Sequence, residues 1–237
     1  MSQKEKVAIV AGGTGGLGRA VSLAFLGAGA RVVVTYRKQA EYDVLVADAG
    51  ANAAHLSGAT VDVTDEAATQ AFATATATKH GRIDVLVNAV GGYAGGKNLW
   101  ESDPKVYEQM MSLNLKAGFI LARAVLPVMI RQNRGWVVNV SSKAGYGHSA
   151  GAALYSASKA GALALFDSLA EEVKPYDINV NSVVPSIIDT AANRAAMPNA
   201  DFSRWPKPED IARVVLFLCS EDAKLVHGAA VLVYGRS

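Results

Sequence analysis

Cysteine is almost absent. Cys219 stands alone in 237 residues, so no intrachain disulfide can form, and its apolar helical surroundings mark it as a core thiol rather than a nucleophile. An excess of one charge is missing too. Lys and Arg number 23 against 21 Asp and Glu, a formal charge of +2, which argues against a nucleic-acid partner or a membrane surface. The 4 histidines include no metal-ligand spacing with Cys or carboxylates, so no metal is expected. His55, His80 and His227 read as surface positions, and His148 as a polar loop residue before Tyr155. The stretch Met1–Lys6 has no apolar signal region, and no apolar run is long and charge-free enough to span a bilayer. A cytoplasmic enzyme is the expectation. Neither a repeat nor a linker breaks the chain, and its length fits one domain, 1–237, with a substantial core.

What the sequence does contain centres on Ser142 and the run Tyr155-Ser156-Ala157-Ser158-Lys159. The apolar residues that follow predict a helix, which places Tyr155 and Lys159 one above the other on one face. A phenol beside an ammonium group has its anion favoured. Moving a phenol's pKa three units towards neutrality requires roughly 4 kcal/mol, within reach of one close, partly desolvated cation and a hydroxyl partner. Such a group exchanges a proton with a carbonyl or alcohol oxygen. Upstream, the apolar strand Val137-Val138-Asn139-Val140 ends in Ser141-Ser142, where a second hydroxyl meets the same oxygen.

A nucleotide site is predicted at the amino end. The strand Lys6–Ala11 runs into Gly12-Gly13-Thr14-Gly15-Gly16-Leu17-Gly18, and a helical sequence follows from Arg19. Glycines let the backbone approach a pyrophosphate, and the helix start offers free N–H groups. The second strand, Ala30–Thr35, is followed by Tyr36-Arg37-Lys38, with no carboxylate until Glu41. This predicts NADP(H), with Arg37 on the 2′-phosphate and NAD(H) as the second choice. The alternative is a solvated basic turn.

Further strands are predicted at Ala59–Val63, Val85–Ala89, Ile178–Val184 and Ala229–Tyr234, with helices between them, including Glu41–Ala53 and Glu66–His80. Asp62 either accepts from the adenine amino group or caps the next helix with Thr64 and Asp65. Asp103-Pro104 starts one long helix through Asn114 to Met129, apolar on several sides. Asn114 in its middle is either a locally satisfied amide or a functional group. Residues 186–208 read as a loop forming a substrate lid. Alternating strands and helices imply an α/β fold: a parallel sheet covered on both faces.

Taken together, Gly12, Gly16, Gly18, Asp62, Asn88-Ala89, Asn114, Ser142, Tyr155-x-x-x-Lys159, Pro185 and Thr190 resemble the short-chain dehydrogenase/reductase family over nearly the whole chain. The resemblance implies a Rossmann-type, doubly wound, seven-stranded sheet. It implies Tyr155 as acid/base, Lys159 on the nicotinamide ribose and lowering the phenol pKa, Ser142 polarising the reacting oxygen, and Asn114 holding a relay water. It extends the cofactor contacts to Thr14, Leu17, Val63 and Ile188, and implies a homo-oligomer, dimer or tetramer, built through the helices of Asn114 and Tyr155. Ala11, Val90, Ser186 and the tail Val233–Ser237 depart from the family pattern without removing a catalytic group.

Two segments, Gly91–Gly96 and Asp189–Trp205, are similar to those of dihydropteridine reductases. The expected substrate is therefore a small carbonyl compound (ketone, aldehyde or 3-oxoacyl type), with a flat pterin-like ring as the alternative. A nucleotide-binding sensor without catalysis is the third reading, and the complete Asn114, Ser142, Tyr155, Lys159 set argues against it.

Overall fold

The structure is a computed structural model that describes residues 3–237. Met1 and Ser2 of the polar amino-terminal stretch lie outside it. Seven parallel strands form one sheet in the order β3-β2-β1-β4-β5-β6-β7. They are β1 (Val7–Ala11), β2 (Arg31–Tyr36), β3 (Leu56–Thr60), β4 (Val85–Asn88), β5 (Gly135–Val140), β6 (Ile178–Pro185) and β7 (Ala230–Val233). The helices are α1 (Gly16–Gly27), α2 (Gln39–Ala49), α3 (Glu66–His80), α4 (Pro104–Met111), α5 (Ala117–Gln132), α6 (Ala153–Glu172), α7 (Ala191–Ala196) and α8 (Pro208–Leu218).

Side-chain alternation along the central strands divides the core into two layers. From β1, Val7, Ile9 and Ala11 join Phe72, Leu121, Val125, Phe166 and Leu169, beneath α3, α5 and α6. Ala8 and Val10 join Phe25, Leu45, Ile211, Val215 and Leu218, beneath α1, α2 and α8. Cys219 is fully buried in this second layer, and burial pushes its thiol up to about 12, as befits an inert core thiol. The expected doubly wound α/β sheet is therefore the observed one, and the strand order reverses between β1 and β4, the crevice where such sheets bind ligands.

Several boundaries differ from expectation. The third strand lies earlier, at Leu56–Thr60 rather than Ala59–Val63, because pairing with Val32–Tyr36 ends at Thr60. That frees Val61, Asp62 and Val63 to turn over the sheet's carboxyl edge. The helix expected over Glu41–Ala53 ends at Ala49, where Gly50 takes φ 51° and a 3₁₀ turn, Gly50–His55, follows. The long helix from Asp103 does run on, capped by Asp103 on the Lys105 amide with Pro104 in its first turn. It is interrupted by a π-helical turn, Ser112–Lys116. That continuous stretch, Pro104–Gln132, is 29 residues long and apolar enough by composition to cross a membrane, contrary to the expectation that no such run exists. Half of its most apolar stretch is buried against the sheet and its neighbours, as in a core helix. Residues 186–208 are not a plain loop, since they carry α7 and a 3₁₀ turn, Phe202–Arg204. His227 is not a surface residue either: its ring is half-buried, with Nε2 2.8 Å from the Ala170 carbonyl and Nδ1 accepting from the Val180 amide at 3.4 Å.

Candidate active site

The glycine turn between β1 and α1 is closed by its own backbone. Gly12 sits at φ 72°, in the left-handed region that favours glycine. Its N–H donates to Thr35 Oγ1 at 3.0 Å, and its carbonyl accepts from Gly15 at 3.1 Å. Thr35 thereby supplies a hydroxyl to a turn whose preceding residue, Ala11, has none. A methyl group on Gly18 would collide with the Gly12 carbonyl, and one on Gly16 would lie 2.8 Å from Thr190 Cγ2. The start of α1 carries no acidic residue, which leaves its N–H groups and dipole free to meet an anion.

A cleft of about 170 Å³ opens at the sheet's reversal point, lined by Gly12, Thr14, Arg37, Asp62, Val63 and Ala89 among the expected residues. Gly16, Leu17, Gly18, Asn88, Tyr155, Lys159, Pro185, Ile188 and Thr190 do not line it. Asn88 is buried beneath, donating to Asn139 Oδ1 at 3.0 Å and accepting from the Val90 amide at 3.3 Å. Thr190 caps α7 by accepting from the Asn193 amide at 3.2 Å. Asp62 accepts from both the amide and hydroxyl of Thr64, at 2.9 and 2.7 Å, which holds its carboxyl below the usual range. The cap of α3 is Asp65, not Asp62. Gly91 lines the cleft too, at the start of the segment expected to border the pocket, while Thr35, Tyr36, Glu41, Val90 and Leu113 line it without having been expected there. Its glycine cradle and unblocked helix start fit a dinucleotide.

Gly91 joins this cleft to the second constellation. A methyl group there would lie 2.9 Å from Asn114 Oδ1 and 3.1 Å from Lys159 Nζ. Asn114 is buried in the π turn and holds the following residue at both ends: its Oδ1 accepts from the Gly92 amide and its Nδ2 donates to the Gly92 carbonyl, each at 3.0 Å. Nδ2 also donates to Ser158 Oγ at 3.0 Å, tying the turn to α6. The extra residue of a π turn rotates the amide out of the helical face it would otherwise share.

On α6, Lys159 is fully buried, and its ammonium donates to the Val140 carbonyl at 3.1 Å. Burial alone lowers its pKa to about 8. Tyr155 lies one turn earlier, and the Ser142 hydroxyl acts to lower its pKa. Ser142 stands just past β5 and also accepts from the Ala144 amide at 3.2 Å. Contrary to the expectation of a phenol lowered by Lys159, the Tyr155 pKa is raised: desolvation, together with the neighbouring Tyr93, outweighs the lowering influence of the Ser142 hydroxyl. The Lys159 ammonium donates to the β5 carbonyl rather than to the phenol. Tyr93 packs edge-on against Tyr155 with ring centroids 5.0 Å apart, yet its own ring is largely exposed. Its only sign in the sequence was an aromatic between two glycine pairs. His148 is exposed in the loop before α6.

Comparison with known proteins agrees with this geometry. A family description for short chain dehydrogenases matches residues 6–201. The 3-oxoacyl-(acyl-carrier-protein) reductase FabG of Thermotoga maritima is 32% identical, over 99% of this chain and 98% of its own length. The human dehydrogenase/reductase SDR family member 4 is 35% identical, over 97% of this chain and 86% of its own. Among solved structures, gox2181 superposes with a TM-score of 0.93 at 30% identity, covering 99% and 96% of the two chains. ElxO with NADP bound gives 0.91 at 26% identity, covering 97% of each. This chain belongs to the short-chain dehydrogenase/reductase family of oxidoreductases.

Proposed function

We propose that this oxidoreductase is an NADP(H)-dependent reductase of a small carbonyl substrate, of ketone, aldehyde or 3-oxoacyl type, with Ser142, Tyr155, Lys159 and Asn114 as its catalytic set. The observation that carries this reading is Gly91, which lines the nucleotide cleft and lies against both Asn114 and Lys159, with Tyr155 one turn from Lys159 on α6. A bound nicotinamide supplies the hydride. Tyr155 gives its proton to the carbonyl oxygen, and the raised phenol pKa keeps that proton in place at neutral pH, which suits the reducing direction. Ser142 donates a hydrogen bond to the same oxygen and orients it. Lys159 and Asn114, both against Gly91, anchor the ribose end of the nicotinamide and the proton path behind Tyr155. At the far end, Arg37 faces the 2′-phosphate. The names of FabG and of the NADP-bound ElxO structure are consistent with this substrate class and cofactor.

A second reading, reduction of a quinonoid dihydropterin, is favoured by the exposed Tyr93 ring against Tyr155, a flat apolar wall for a flat substrate. Following NADPH oxidation over ketones, 3-oxoacyl thioesters, quinones and quinonoid pterin tests both. Tyr155→Phe is expected to lower carbonyl turnover at least about a hundredfold with cofactor affinity kept; unchanged turnover rejects the assigned acid. Ser142→Ala separates the substrates, since ketone reduction should collapse with it, and pterin reduction that survives the change favours the second reading. We further propose a homo-oligomer built through α4, α5 and α6, supported by the exposed rings of Tyr107 and Phe119 on that face.

A further inference from the structure

The adenosine end of the cleft holds a carboxylate that the cofactor assignment does not use. Glu41, in the first turn of α2, lines the cleft together with Arg37. Thr14, on the glycine turn, donates its hydroxyl to Glu41 Oε2 at 3.2 Å, so a side-chain bridge runs from one wall to the other. On its outer side Glu41 pairs with Lys38 at 3.2 Å. The lysine next to Arg37 is thus already engaged by an internal anion.

We infer that Glu41 sets the balance between NADP(H) and NAD(H) by competing with the adenosine 2′-phosphate for Lys38. The inference rests on the cofactor reading above. A ribose with a free 2′-hydroxyl has a donor to offer a carboxylate, and Glu41 accepts it as it now accepts Thr14. A 2′-phosphate offers only acceptors and carries about two negative charges. It is attracted by Arg37 and repelled by Glu41, and it gains Lys38 only when that ammonium leaves the carboxylate. The Lys38 and Glu41 side chains are 76% and 43% exposed, so the pair is weakly held and the exchange is cheap. The result is a site that takes both cofactors, with its preference for the phosphate blunted by one residue rather than abolished. Arg37 and Glu41 are opposing selectors on one wall.

The test is calorimetric binding of NADP⁺ and NAD⁺ to the full chain at low salt, without turnover. Glu41→Gln keeps the length and the hydrogen bond to Thr14 but removes the charge. It is expected to tighten NADP⁺ about fivefold and to leave NAD⁺ unchanged or weaker. Adding Lys38→Met to that variant should reverse most of the gain for NADP⁺ and none of the affinity for NAD⁺. An NADP⁺/NAD⁺ affinity ratio unchanged by Glu41→Gln overturns the role of Glu41. A wild-type chain that binds neither dinucleotide overturns the cofactor reading itself, so the two failures are distinguishable.

Discussion

Lys159 is buried and charged against a single backbone carbonyl, and that has a thermodynamic consequence. Its pKa falls from 10.5 to about 8 on folding, so between those values the unfolded chain binds more protons than the folded one. Stability therefore rises with pH across that window. Below about pH 8 the folded protein carries the full cost of the buried ammonium, of the order of 3 kcal/mol. Lys159→Met removes the titration. The stability difference between variant and wild type, measured by urea midpoints from pH 7 to pH 10, should shrink as pH rises; a constant difference contradicts the assignment. Ser186 shows a different residue-scale economy. Its hydroxyl donates to the Tyr234 carbonyl at 2.8 Å and accepts from Ser237 at 2.6 Å, so the departure from family pattern at this position fastens the carboxyl-terminal tail.

Among the elements, the π turn Ser112–Lys116 does more than continue a helix. It points the Asn114 amide at the Gly92 backbone and at Ser158, linking α5, α6 and the loop that leaves β4. That loop is held a second time where the Gly96 amide donates to the Gly151 carbonyl at 2.9 Å, directly before α6. Tyr93 lies between these two fastenings, with its ring edge-on to Tyr155. Asn114→Ala leaves the half-buried Gly92 backbone groups without their side-chain partner, and should cost about 1 kcal/mol of stability. Hydrogen exchange at residues 91–96 should quicken well before global unfolding. Exchange that stays at the wild-type rate would mean the amide does not hold the loop.

For the molecule as a whole, the unbalanced feature is the outer face of α4, α5 and α6. Glu108, Met111, Leu115, Phe119 and Leu165 edge a shallow apolar hollow there, and Phe119 is 46% exposed. We propose that a second copy of the chain covers this face. Phe119→Glu is expected to shift the sedimenting species to a smaller size while the circular dichroism stays that of the wild type. A wild-type chain that sediments as a monomer at micromolar concentration would remove this proposal.

Strand–helix alternation, the glycine turn and the Tyr155/Lys159 spacing are local patterns, and periodicity with backbone sterics suffices to read them; hence the fold was legible in order along the chain, as were the cleft-lining Gly12, Thr14, Arg37, Asp62, Val63 and Ala89. The register of β3 was not, because pairing with β2 rather than the apolar content of Val61 and Val63 decides where that strand ends. Nor was the π turn, which follows from what Asn114 can reach on other elements. The direction of the Tyr155 shift and the bridge from Thr14 through Glu41 to Lys38 also depended on tertiary placement. Desolvation and charge pairing are set by neighbours distant in sequence, and one-dimensional spacing carries no record of them.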